Sequence, residues 1–210
     1  MNFFGHATVA SWDPSATAAF ALGAMLPDFI AMSGAASMRP AHEETRRGVA
    51  LHHATDEVFH AAPDFIALMG RARADLEKGG LRRGSAWAAA HVGVELLLDG
   101  TLVADERAGA LYLRALRGAE HHLVYDGAGD ASRVAHLLDR LRAAGIPYPY
   151  ADPRTVATRV QRALLARPRL ALDGRHVDVL MDVLDDVAAD VRVRAGALLD
   201  HVRRGVAPAR

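Results

Sequence analysis

The chain has no cysteine, which excludes disulfides and thiolate metal ligands and leaves nitrogen and oxygen as the only strong donors. It has no excess of charge of either sign: 25 Lys and Arg balance 25 Asp and Glu. That balance removes the bulk electrostatic argument for nucleic-acid binding. Long hydrophobic runs are missing too. None reaches the roughly 18 residues needed to span a bilayer, and the longest, residues 16 to 32, is rich in Ala and Gly and is broken at Pro27-Asp28. No basic cluster precedes an apolar segment near Met1, so no signal peptide is expected and the cytoplasm is the default location. The usual nucleophile and nucleotide motifs are absent as well: no GxSxG elbow, no Walker loop, no GxGxxG after a strand. A triad built on Ser33 or Ser37 stays open, with no local context that favours it.

What is present points to helices. At 210 residues, half of them apolar, the chain suits one domain over 1–210 with a substantial core. Asp13-Pro14 reads as an N-cap followed by a first-turn proline, opening a helix through about Met25 that Pro27 ends. The stretch Leu26 to Phe29 then reads as a turn. A helix from about His42 to His60 starts with Glu43 and Glu44 in its first turn. Pro63-Asp64 opens another to Glu77, stopped by Gly79-Gly80. Ser85 reads as the cap of a helix ending near Asp99-Gly100. Further helices are expected from Ala104 to Arg117, Ala131 to Ala144 and Pro153 to Ala166, with a stiff extended connector from Gly145 to Tyr150. From Arg175 to Arg203, Val177, Leu180, Met181, Leu184, Val187, Val191, Leu198 and Val202 form one apolar stripe. Strand signals are scarce, and the expected fold is an all-α, multi-helix bundle. The arginine clusters Arg46-Arg47, Arg71 with Arg73, Arg82-Arg83 and Arg203-Arg204 read as solvated faces or as a docking patch for an acidic partner.

Two histidine–carboxylate pairs stand at helical spacing: His52 with Asp56 and His91 with Glu95. Residues four apart share one helix face, so two such helices can bring imidazole and carboxylate ligands to one point. Hydrolytic metals need neutral imidazoles, ionised carboxylates and one position left for water. His91 and Glu95 lie in a segment, Ala86 to Leu98, that is otherwise apolar. A carboxylate there needs a metal or a proton as compensation; the alternative is a neutral His–Glu hydrogen bond holding helices in register. His60 continues the first pair's face by one turn, and Asp99 continues the second. His6, before the first expected helix, and Asp28, at the turn after it, are further ligand candidates. His53 with Glu57 points off the first pair's face, while His42, His121, His122, His136, His176 and His201 read as cap or surface residues without a coherent carboxylate partner.

With these residues in place, the chain resembles the bacterial acyl carrier protein phosphodiesterase (ACP hydrolyase) family. The opening Met1-Asn2-Phe3-Phe4-Gly5-His6 is similar to that family's MNFLAH start. Leu22 to Phe29 resembles its GNLLADF segment and places Asp28 on the family aspartate. Gly48 to Asp56 resembles its GIHMHRRID motif, and Arg167-Pro168-Arg169-Leu170 its RPRL segment. The resemblance implies an all-α fold like the HD-type metal phosphohydrolases, a divalent metal (manganese, zinc or iron), and a role in lipid metabolism. The implied reaction releases 4′-phosphopantetheine from holo acyl carrier protein; another phosphodiester is the alternative substrate. The chain departs from the family at Ala50 and His53, which replace a histidine and an arginine. It departs again at His60 and Ala62, which replace an aspartate and a histidine, and at His91 and Glu95-Leu96, where the family has Asp and then Asp-His. A looser ligand-pattern resemblance is to bacterial zinc-dependent phospholipase C, whose order of ligands His6, Asp28, His52, Asp56, His91 and Glu95 follow. The implied metal ligands are therefore these six, with His53 or His60 to carry a proton to the leaving group. Arginines near residues 39 to 47 would orient phosphate or dock the carrier protein. A non-catalytic family member that binds a carrier protein or small ligand is the competing expectation.

Overall fold

The structure is a computed structural model that describes residues 1–165 and 167–206. It is all-α: the described residues form nine α-helices, two short 3-10 turns and one two-residue strand pair. No single helix among them is long and apolar enough to cross a membrane. The fold divides into two units, one made of residues 1–57, 102–147 and 206, the other of residues 58–101 and 148–205.

The first unit contains α1 (Phe3–Ser11), α2 (Ala18–Ser33), most of α3 (Glu43–Ala61), α6 (Glu106–Arg117) and α7 (Ala128–Ala144). Helices α1, α2 and α6 pack on one another around an aromatic centre. There Phe3 stacks on Tyr112 at 5.8 Å, and Phe4 meets the same ring edge-on at 5.5 Å. Such offset and edge geometries add to the area that each ring buries. Strands β1 (Arg39–Pro40) and β2 (Leu123–Val124) pair antiparallel, Arg39 opposite Val124.

Four expectations fail here. Residues 3–11 form a helix, so His6 lies within the first helix rather than before it. All nine residues of α1 are buried, and a helix buried all round shows no polar face to reveal its period. The second helix starts at Ala18, where Thr17 accepts the Phe20 N–H at 3.1 Å, and not at Asp13-Pro14. It runs straight through Pro27 to Ser33. The proline forfeits one backbone donor, but α2 is held from both sides by α1 and α6, and it ends only where Gly34 turns left-handed at φ 69°. Asp28 is thus a helical residue and not part of a turn.

Helices α2 and α3 cross at a pair of glycines. A Cβ on Gly48 would overlap the Phe20 carbonyl oxygen, and one on Gly23 would overlap that of Thr45. Only glycine permits this backbone approach, and one turn further along α3 it brings His52 against α2.

The second unit contains the end of α3, α4 (Pro63–Lys78), α5 (Arg83–Leu102, all but its last residue), α8 (Pro153–Leu165) and most of α9 (Gly174–Val206). Helix α4 starts at the expected proline and stops at Gly79. Helix α5 begins two residues before Ser85, which therefore sits in its first turn rather than capping it. Ala166, the expected end of α8, lies outside the described residues. The expected extended connector closes instead into a 3-10 turn at Tyr148–Ala151. The α9 stripe is buried at Val177, Leu180, Leu184, Val187, Val191, Leu198 and Val202, while Met181 is only partly covered. Leu184 packs where α5 carries Gly93, since a Cβ there would come within 2.7 Å of its Cδ2. Arg194 pairs with Asp64 at 2.9 Å and Arg71 with Asp190, tying α9 to α4.

Candidate metal centres

In the first unit, α1 supplies His6 and α3 supplies His52 and Asp56. One ligand atom from each lies within 4.8 Å of the other two. The imidazoles stack with centroids 3.8 Å apart. His6 Nε2 is 3.2 Å from Asp56 Oδ1, and His52 Nε2 is 3.4 Å from Asp56 Oδ2. The Met1 α-ammonium also reaches Oδ1, at 2.6 Å. No pattern of side chains in the sequence signals that contact.

The tautomer of His52 follows from its partners. Its Nδ1 lies 2.9 Å from the Ala24 carbonyl oxygen, which can only accept, so Nδ1 carries the proton. Nε2 then turns its lone pair towards a carboxylate, an arrangement that needs a cation or a second proton between them. An Nδ1–H held by a backbone carbonyl is the support that metal-bound imidazoles use.

Electrostatics separate the three groups. Burial pushes His6 down to about 4, with the Asp56 carboxylate offsetting only part of that. Burial also opposes charge on His52, yet Asp56, the Asp28 carboxylate and the Ala24 carbonyl together raise its proton affinity above the ordinary value. Asp56 is held far below the usual carboxylate range: burial works against the charge, and hydrogen bonds from His52 and His6 outweigh it. Hence His6 is a neutral imidazole and Asp56 an ionised carboxylate at neutral pH. Asp28 acts on His52 through its charge but does not join the group of close ligand atoms.

A second group lies in the other unit. His60 from the last turn of α3, with His91 and Glu95 from α5, again brings three ligand atoms within 4.8 Å. His60 Nε2 and His91 Nε2 lie 3.0 and 3.1 Å from the same Glu95 Oε1. Aromatic rings wall this group: Phe65 meets His91 edge-on at 5.5 Å and Trp87 lies 5.0 Å from it. Burial disfavours the Glu95 charge, but the two imidazole hydrogen bonds contribute to holding its carboxyl well below the usual range. His60, expected to carry a proton, is thus the third donor of this group. Its spacing of four from Asp56 points to the first pair's face, whereas it joins Glu95 instead. Asp99, the next-turn candidate, is fully buried and outside both groups.

Two imidazoles and one carboxylate form a donor set that holds catalytic zinc with a position left open. His60, His91 and Glu95 offer that set in one unit and His6, His52 and Asp56 in the other, where His6 Nε2 also lies 3.0 Å from the Met1 carbonyl oxygen; the expected ligands thus fall into two groups rather than one, and Asp28 joins neither. His53 is exposed, its ring 5.4 Å from that of His52. Arg46 and Arg47 are paired with Glu43 and Glu44, at 2.8 and 3.0 Å, and Arg39 with Asp126. Among the described residues, neither Ser33 nor Ser37 bonds a histidine: the Ser37 hydroxyl donates to Asp130 Oδ2 at 2.6 Å, and that of Ser33 to the Ile30 carbonyl. Comparison with protein-family models, curated proteins and solved structures finds no match to this chain.

Proposed function

We propose that this chain is a metal-dependent phosphodiester hydrolase. The observation that carries this reading is His52, whose Nδ1–H is fixed on the Ala24 carbonyl so that Nε2 faces the Asp56 carboxylate. His6, His52 and Asp56 would hold one divalent ion, and His60, His91 and Glu95 a second. A divalent ion there supplies an activated water nucleophile and draws electron density from a phosphoryl oxygen. The chain's own residues prepare for it: burial keeps His6 neutral, and Asp56 and Glu95 stay ionised. Asp28 adds negative charge beside His52. In the hydrolysis, water adds to phosphorus and the P–O bond to the alcohol breaks. The alcohol takes a proton, which the exposed His53 is free to deliver.

The resemblance to the acyl carrier protein phosphodiesterases makes holo acyl carrier protein the first substrate to try, with 4′-phosphopantetheine and apo protein as products. The test is to incubate metal-loaded protein with holo acyl carrier protein and with a panel of simple phosphodiesters, following mass. Metal-dependent loss of the phosphopantetheine arm, or turnover of a panel member, supports the reading. No turnover by protein shown to hold metal would sink it.

A further inference from the structure

A cavity in the second unit is lined by none of the residues of either histidine group. It holds about 270 Å³ and is lined by Leu81, Arg82, Ser85, Arg169, Leu172 and His176 among others. Two helices begin at this cavity. Arg82 and Ser85 bracket the first turn of α5, and Asp173 and His176 that of α9. The first N–H groups of a helix have no intrahelical acceptor and, with the helix dipole, favour an anion.

A second observation is independent of the helix ends. Ser85 is only 4% exposed and lines the cavity, and its hydroxyl makes no hydrogen bond among the described residues. A hydroxyl that opens onto a cavity with no protein acceptor is available to donate to a ligand there. Arg82 and Arg169 add guanidinium forks, which match phosphate oxygens two at a time. The one acid in the lining is already engaged: Asp173 Oδ1 accepts the His176 backbone N–H at 3.0 Å and lies 2.9 Å from His176 Nδ1. This pairing corrects the expectation that His176 lacks a carboxylate partner, and its Nε2 meets the Gly80 carbonyl at 3.1 Å.

We propose that this cavity is a binding site for a phosphate group, taken as free phosphate or as a small phosphomonoester. The donors outnumber what a carboxylate's two oxygens accept and suit the several oxygens of a phosphate. Leu81, Pro168 and Leu172 close the remaining wall, which fits a small molecule and not a nucleic-acid backbone. The site is independent of the metal groups and stands if they hold no ion.

The test is calorimetric titration of the full chain with inorganic phosphate and with glycerol 3-phosphate, in the presence and absence of a chelator. Saturable binding at one site, unchanged by the chelator, is expected. Arg82→Gln and Arg169→Gln should each weaken it about tenfold or more, the loss typical of one charge-assisted hydrogen bond. Ser85→Ala should weaken it less. Both arginines are exposed, so those variants keep the fold, which thermal melting verifies. Tighter binding of glycerol 3-phosphate identifies a phosphomonoester ligand; equal binding identifies free phosphate. No saturable heat with either ligand, loss of binding on chelation, or indifference to both arginine variants would overturn the proposal.

Discussion

In metal-free protein, His6 makes stability depend on acid in a defined window. The folded chain buries His6 at 1% exposure and lowers it from the ordinary 6.5 to about 4. A group whose folded pKa is depressed binds its proton first in the unfolded chain, so falling pH favours unfolding between those two values. At 1.36 kcal/mol per pH unit, the window is worth roughly 3 kcal/mol, a large share of a typical domain's stability. The neighbouring groups act elsewhere. His52 is raised, so its contribution is complete below 6.5 and is lost as pH climbs through its folded value. Asp56 is depressed from 3.8, so its contribution disappears only as pH falls below about that point. The assay is urea unfolding of chelator-treated protein in small pH steps from neutral to 4, for the parent and for His6→Gln. The variant's curve should be flatter across the window by up to about one proton's slope, whatever its absolute stability. Equal slopes in the two proteins would refute the account of His6 as a buried neutral imidazole.

Three further outcomes follow from the first unit's packing. Gly48→Ala forces a Cβ onto the Phe20 carbonyl and should cost about 1–3 kcal/mol of stability by parting α2 from α3. Gly129→Ala, where α7 has nothing within 4 Å, should instead gain about 0.5–1 kcal/mol, and parallel thermal melts check both. Arg142 grips the Leu116 carbonyl from Nη2 at 2.6 Å and from Nε at 3.0 Å, at the end of α6. Arg142→Met should lower stability by about 1–2 kcal/mol, read from chemical denaturation.

The sequence carried the parts of the fold whose surfaces differ from face to face. The α9 stripe and the Pro63-to-Gly79 helix were legible because polar and apolar residues alternate at 3.6-residue spacing, or because proline and glycine mark the ends. Helix α1 was not, since burial on every side erases that contrast. Pro27 misled for a related reason: local chemistry says stop, and packing between α1 and α6 overrides it. At the site, spacing of four disclosed His52–Asp56 and His91–Glu95, since both partners share one helix. Joining His60 to Glu95 needs the last turn of α3 beside α5, and joining His6 to Asp56 needs α1 against α3. Those are tertiary facts, as is the Met1 ammonium on Asp56.

Metal content tests the central claim most directly. The chain is purified, stripped with a chelator, reloaded with zinc or manganese, and analysed by mass spectrometry of the elements. The account predicts one tightly held divalent ion per ligand group, with His52→Ala losing the first and Glu95→Gln the second. A chain that retains no ion, or whose metal content is unchanged by both substitutions, would contradict it.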